Sequence, residues 1–146
     1  MPGESGRSGI YDVIYAAFKH TFPCDCSLTY KVVIKTDKCR AYKLIEISGI
    51  TVCPSDKKIA SRLAAIGINP KNAPVDTTNY ICYDMAQPMH CFDADQIDGD
   101  ITVRMAQTGE KFTDLFGAEH ELTENDMVIA DNAGILALAG VIGGAR

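Results

Sequence analysis

The run VDTTNYICYDMAQPMHCFD, from Val75 to Asp93, decides how this chain is read. Val75, Thr78, Cys82 and Met85 fall along one stripe at helical spacing, so a helix is expected up to about Met85. Asp76 or Thr77 is expected to cap it. Gln87-Pro88 breaks it, because proline cannot continue a helix. Pro88 also stiffens the turn ahead of His90 and would hold the imidazole in one direction. A neutral imidazole both donates and accepts, so His90 could orient a water or an ester carbonyl. Taken alone, His90 is more often a structural, hydrogen-bonding histidine. Thr78 is open in the same way, since a hydroxyl near a helix start can serve as a cap. Gln87 fits either a structural or a binding role. Asp76 and Asn79 are expected to brace the loop. Asp93 has no evident carboxylate partner and reads as a turn or cap residue.

Upstream, Ile10, Val13, Ile14, Ala17 and Phe18 follow helical spacing and predict a first helix ending before Pro23. Leu28 to Thr36 alternates as a half-buried strand, and Tyr42 to Ser48 predicts a second strand. Ser55 is expected to cap a helix carrying Ile59, Leu63 and Ile66, which Gly67 stops. Asn69 to Pro74 reads as a loop. Downstream, Ile101, Val103 and Met105 alternate with Thr102 and Arg104. Phe116-Gly117 predicts a hairpin turn, Thr123 to Asp126 a polar turn, and Met127 to Ala130 a buried strand. After the Asn132-Ala133-Gly134 turn, Ile135 to Ile142 is expected to be one buried strand. The class is α+β: N-terminal helices and strands, then a strand-rich half forming a sheet core with flanking helices. Residues 1–27 read as a lead-in and helix, and 28–146 as the folded domain.

The 146-residue length suits one domain with a real core, and 47% hydrophobic with 23% charged residues is ordinary for a globular chain. No apolar run reaches the length of a membrane span, and the Gly- and Ser-rich start lacks the apolar core of a signal peptide. The net charge of −5 argues against a domain that grips the body of a nucleic acid by itself. Lys57, Lys58 and Arg62 cluster on one predicted helix and read as a solvated face rather than a phosphate site. Cys24 and Cys26 form the one close pair among six cysteines, with Cys39, Cys53, Cys82 and Cys91 scattered. That spacing does not suit zinc, so reduced cysteines and no metal are expected. There is no Gly-Lys-Ser/Thr phosphate loop and no serine in a nucleophile elbow. His20 and His120 read as surface residues. Gly140, Gly143 and Gly144 end the last apolar run, where spacing alone favours a tight turn.

The Val75–Asp93 run resembles the editing module in the β subunit of bacterial-type phenylalanyl-tRNA synthetases. The resemblance continues through Ile101-Thr-Val-Arg-Met-Ala106, Thr108-Gly-Glu-Lys-Phe112, Met127-Val-Ile-Ala-Asp131 and Ala139-Gly-Val-Ile-Gly-Gly144 in the family's order, and more weakly upstream to about Thr29. It implies hydrolysis of tyrosine wrongly joined to phenylalanine tRNA. A pocket for phenylalanine rejects an analogue with one added hydroxyl only weakly, by about 10², so a second site is needed. The resemblance places Thr78 beside the substrate's amino acid and His90 among the catalytic groups. It places Gln87, Pro88, Asn69, Gly140, Gly143 and Gly144 around the substrate. It implies a cytoplasmic setting, the tRNA 3′ end and a catalytic α subunit as partners, and no cofactor in this module. The complete synthetase would use ATP and magnesium.

Two departures accompany the resemblance. The family carries Arg in a Gly-Ile-Arg context, whereas this chain reads Gly67-Ile68-Asn69-Pro70; Lys71 restores a charge but not the planar fork of Arg. The family's module also continues past the position of Arg146 and there supplies a Glu that reads the tyrosine hydroxyl. The chain is therefore expected to be a fragment with weak editing by itself. The alternatives are a non-catalytic scaffold or tRNA-handling module that has lost editing, and a free-standing editing protein.

Overall fold

A computed structural model of the chain describes the backbone of residues 9–14 and the whole of residues 30–146. The architecture is α+β, in two compact units between which the chain passes more than once. The first comprises residues 1–15 and 45–95, and the second residues 16–44 and 96–146.

The first unit holds β1 (Gly9–Ile14), β3 (Leu44–Ile50), α1 (Lys57–Ala65), α2 (Ala73–Met85) and β4 (Cys91–Asp93). Its sheet has the order β3-β1-β4, with β1 antiparallel to β4 through Tyr11–Asp93, Asp12–Phe92 and Val13–Cys91. The helix expected over Ile10–Phe18 is thus a strand as far as Ile14, and its remainder lies outside the described residues. Pairing with β4 satisfies the backbone there, and tertiary context overrides the weak helical pattern. Helices α1 and α2 pack on each other, with Leu63 only 1% exposed.

Both helix caps differ from expectation. Asp56, not Ser55, caps α1: its carboxylate accepts the Lys58 N–H at 2.8 Å. Gly67 does end α1, with φ +84°, where a Cβ would be strained. Asn72, not Asp76 or Thr77, caps α2 by accepting the Val75 N–H at 3.0 Å. Pro74 then sits in the first turn, where a missing N–H is harmless. The loop expected up to Pro74 is accordingly shorter, and α2 ends at Met85 as expected.

The second unit is a five-stranded sheet of order β10-β9-β8-β5-β2, beside the hairpin β6 (Lys111–Thr113) and β7 (Glu119–Glu121). Here β2 is Val32–Ile34, β5 Ile101–Met105, β8 Met127–Ala130, β9 Ile135–Leu138 and β10 Ile142–Gly143. Strand β2 runs parallel to β5, and the other pairs are antiparallel. As the edge strand, β2 leaves Val33 and Ile34 exposed. Strands β5 and β8 occupy the residues expected of them, and Phe116-Gly117 turns the β6–β7 hairpin. Ala106, Phe112, Leu122 and Val128 form a buried cluster capped by Ile135, Leu138 and Ile142. The single strand expected over Ile135–Ile142 is instead a hairpin. Gly140, with φ +73°, reverses the chain between β9 and β10, and the Val141 N–H closes the turn on the Leu138 carbonyl at 3.0 Å.

Candidate functional site

Asp76 organises the first unit's share of the predicted site. It is fully buried in the first turn of α2. Both carboxylate oxygens accept the Lys71 N–H, at 2.9 and 3.0 Å, and one also accepts the Ser55 hydroxyl. A helix N-terminus favours a negative charge at this position. One side chain therefore ties the lead-in to α1, the loop after Pro70 and the start of α2. The bracing role read from the sequence is where Asp76 stands, although the cap is Asn72.

Thr78 lies two residues further along α2 and is 4% exposed. Its hydroxyl donates to the Val75 carbonyl at 2.7 Å. The proton is thereby committed, and the oxygen's lone pairs remain as acceptors. Ala86 ends α2 in a left-handed conformation, φ 53°, and turns the chain into Gln87-Pro88. Gln87 and His90 are half-buried, and Pro88 and Asn69 are exposed. The His90 ring meets buried Phe92 of β4 edge to face, with centroids 4.6 Å apart. Loss of hydration holds the imidazole below its ordinary pKa, so it is neutral near pH 7. A neutral ring offers one donor and one acceptor. Asp93 accepts the Asp95 N–H at 3.1 Å and is the turn residue expected.

The glycines Gly140, Gly143 and Gly144 belong to the second unit. Gly143 is buried in β10 opposite Ala137, and its carbonyl accepts the Leu115 N–H at 3.0 Å. Gly144 donates to the Leu136 carbonyl at 2.8 Å. A Cβ on Gly144 would lie 2.7 Å from that same oxygen and 3.0 Å from the Phe112 ring. Close backbone approach explains this glycine, and turn conformation explains Gly140.

The same unit contains side-chain pairs that the sequence reading missed. Asp114, 5% exposed, accepts the Phe116 and Ala118 N–H groups and pairs with His120 at 2.8 Å. His120, read as an isolated surface residue, is thus a partner across the hairpin. The His120 contact, with the two N–H bonds, holds the Asp114 carboxyl below its usual range. Arg104 grips Glu110 with both guanidinium nitrogens, at 2.6 and 2.8 Å. Arg146 grips Asp131 likewise, at 2.9 and 3.0 Å. Hairpin pairing across Phe116-Gly117 could have suggested the first of these; the Arg146 pair spans the last hairpin and has no local signal. Among the described residues no three His, Cys, Asp or Glu side chains gather as a metal site, and Cys39, Cys53 and Cys82 are free thiols. No described helix is long and apolar enough to cross a membrane.

Residues 38–146 match the sequence model of a family described as the B3/4 domain. The chain is 49% identical to the phenylalanine–tRNA ligase beta subunit of Solibacter usitatus, over 73% of this chain and 14% of that protein. It is 41% identical to the protein of the same name from Nitrobacter winogradskyi, over 84% of this chain and 15% of the relative. For that of Rhodopseudomonas palustris the identity is 40%, over 86% and 15%. The chain thus spans about 15% of the length of the curated relatives it matches.

Proposed function

Because the chain belongs to the B3/4 domain family, whose matched relatives are beta subunits of phenylalanine–tRNA ligase, we propose that it hydrolyses tyrosine wrongly esterified to phenylalanine tRNA. The observation that carries this reading is the placement of His90, half-buried and edge to face against Phe92 of β4, within the run that resembles the editing signature. In the proposed reaction a water oxygen bonds to the ester carbonyl carbon. The bond from that carbon to the ribose oxygen breaks, and the water's proton ends on the ribose oxygen. Tyrosine and free tRNA leave. Such a reaction depends on placing the water and stabilising the developing oxyanion, not on a nucleophilic side chain. His90 orients the water or donates to the carbonyl oxygen. Thr78, its own proton held by Val75, accepts from the substrate's ammonium group. Gln87, Pro88 and Asn69, of the same unit, are assigned to the substrate's surroundings. Water is the only co-reactant, so this step needs no cofactor. The α subunit and a cytoplasmic setting belong to the same proposal.

One observation favours a second reading. Asn69 is neutral and exposed where the resemblance leads one to expect Arg. A module without that fork would handle tRNA without editing it. The test is release of labelled tyrosine from mischarged phenylalanine tRNA by a phenylalanine–tRNA ligase whose beta subunit carries residues 38–146 of this chain in place of its own B3/4 domain, with correctly charged tRNA as control. The proposed function requires selective tyrosine release that falls at least tenfold in His90→Ala, consistent with the 10²–10⁴ contributed by positioned acid–base groups. Release no faster than in buffer establishes the second reading instead.

A further inference from the structure

Helix α1 carries Lys57, Lys58 and Arg62 and no acidic residue, in a chain whose net charge is −5. Lys57 and Lys58 are exposed. Lys58, Arg62 and Ile66 are spaced four apart and so form one stripe down the helix. Beside that stripe α1 and α2 leave an open groove of about 230 Å³, lined by Arg62, Leu63, Ile66, Tyr80, Tyr83 and Asp84. It is smaller than the roughly 300–1,000 Å³ of a pocket that engulfs a small molecule. Its walls suit a flat ring lying on a surface. Arg62 donates to the Tyr80 hydroxyl, and its guanidinium lies 5.7 Å from the Tyr80 ring centre. The Tyr83 side chain is 65% exposed and Ile66 53% exposed. An aromatic face left in water beside a line of cations has the form of a stacking platform for an unpaired nucleic-acid strand.

We propose that the α1–α2 groove binds a short single-stranded RNA segment. A base stacks on Tyr83, its neighbouring phosphates meet Lys58 and Arg62, and Asp84 accepts from an exocyclic amine of cytosine or adenine. The Tyr83 ring, exposed at the groove, decides between RNA and an acidic peptide, because a flat aromatic face stacks on a base and has no such partner in a run of carboxylates. The inference rests on the reading of an RNA-borne substrate and adds a surface separate from Thr78 and His90. Lys57, Lys58 and Arg62 are exposed, as the sequence-based expectation of a solvated face has it, and the proposal gives that face a ligand.

The experiment is a fluorescence-anisotropy titration of the chain with a labelled single-stranded oligocytidylate heptamer. Saturable binding that weakens with salt is expected. Tyr83→Ala should weaken it at least fivefold, since one stacked base contributes on this scale. Lys58→Glu should weaken it and flatten its salt dependence. Both positions are exposed, and circular dichroism checks that the variants keep the helical content of the parent. Absence of saturable binding, or unchanged affinity in both variants, overturns the proposal. Displacement of the RNA by an equal concentration of an oligoglutamate peptide overturns it in favour of an acidic polypeptide partner. His90→Ala should bind the heptamer like the parent. Loss of RNA binding with tyrosine release intact would sink this inference alone, and RNA binding without tyrosine release would sink the proposed function alone.

Discussion

At Asp76 a carboxylate with no solvent exposure is held by the Lys71 N–H and the Ser55 hydroxyl. Burying a charge is unfavourable unless its hydrogen bonds are made. Here they are made by groups that themselves need an acceptor. Asp76→Ala leaves the Lys71 N–H and Ser55 hydroxyl unsatisfied, and each such loss costs about 1–3 kcal/mol. Urea unfolding should show a loss of about 2–6 kcal/mol by that reckoning, with Ser55→Ala losing about 1 kcal/mol. In the double variant the Ser55 change should add little, because its acceptor is already gone. A fully additive double variant would mean that the two side chains do not act on each other. Thr78 belongs to the same first turns of α2, so the clamp also fixes the acceptor assigned to the substrate.

At the scale of elements, the β9–β10 hairpin separates two reasons for a glycine. Gly144→Ala would press a Cβ against the Leu136 carbonyl at 2.7 Å, a backbone atom that cannot rotate away. Overpacking of that kind costs about 1–3 kcal/mol. Gly140→Ala meets nothing within 4 Å, so only the positive φ opposes it, at about 1–2 kcal/mol. Thermal unfolding should rank Gly144→Ala as the more damaging, and Gly144→Ser should behave like it. Equal losses would show that turn strain, not close approach, governs both positions. Much of this half was legible from sequence. Strict alternation placed β5, apolar content placed β8, and Phe116-Gly117 placed the β6–β7 turn. The split of Ile135–Ile142 was missed because hydrophobicity outweighed the one glycine that breaks it. The α2 cap was missed although Asn72-Ala73-Pro74 carries an N-cap followed by an early proline. Tertiary pairing, invisible in a window of neighbours, made Gly9–Ile14 a strand. The resemblance named the site residues. The tie of Asp76 to Ser55, the Arg62–Tyr80 contact and the groove beside it required the folded backbone, since each joins residues on different elements.

Over the whole molecule, titration divides into two pH windows with distinct owners. His90 is held neutral, its pKa lowered from 6.5 by loss of hydration. Between pH 6.5 and that lowered value the unfolded chain binds a proton that the folded chain does not. Stability therefore falls as pH drops below 6.5 and stops falling for this reason once the folded group also titrates. The carboxylates behave oppositely. Glu110 is lowered chiefly by Arg104, Asp114 chiefly by His120, and Asp126 by the Thr123 N–H and hydroxyl. For Asp131, burial pushes upward but is outweighed by Arg146 and the Asp98 and Gly134 N–H groups. Their contribution is complete above the ordinary values of 4.5 for Glu110 and 3.8 for the aspartates, and is lost as pH falls through the lowered ones. Urea unfolding of the parent chain should show one decline that sets in as pH drops below 6.5 and a steeper one below about pH 4.5. His90→Gln keeps a hydrogen-bonding side chain without a titrating ring. It should flatten the first decline and leave the second unchanged. A parent chain whose stability is constant from pH 7 to 5 would refute the buried neutral state of His90, and with it the proton inventory on which the hydrolytic role depends.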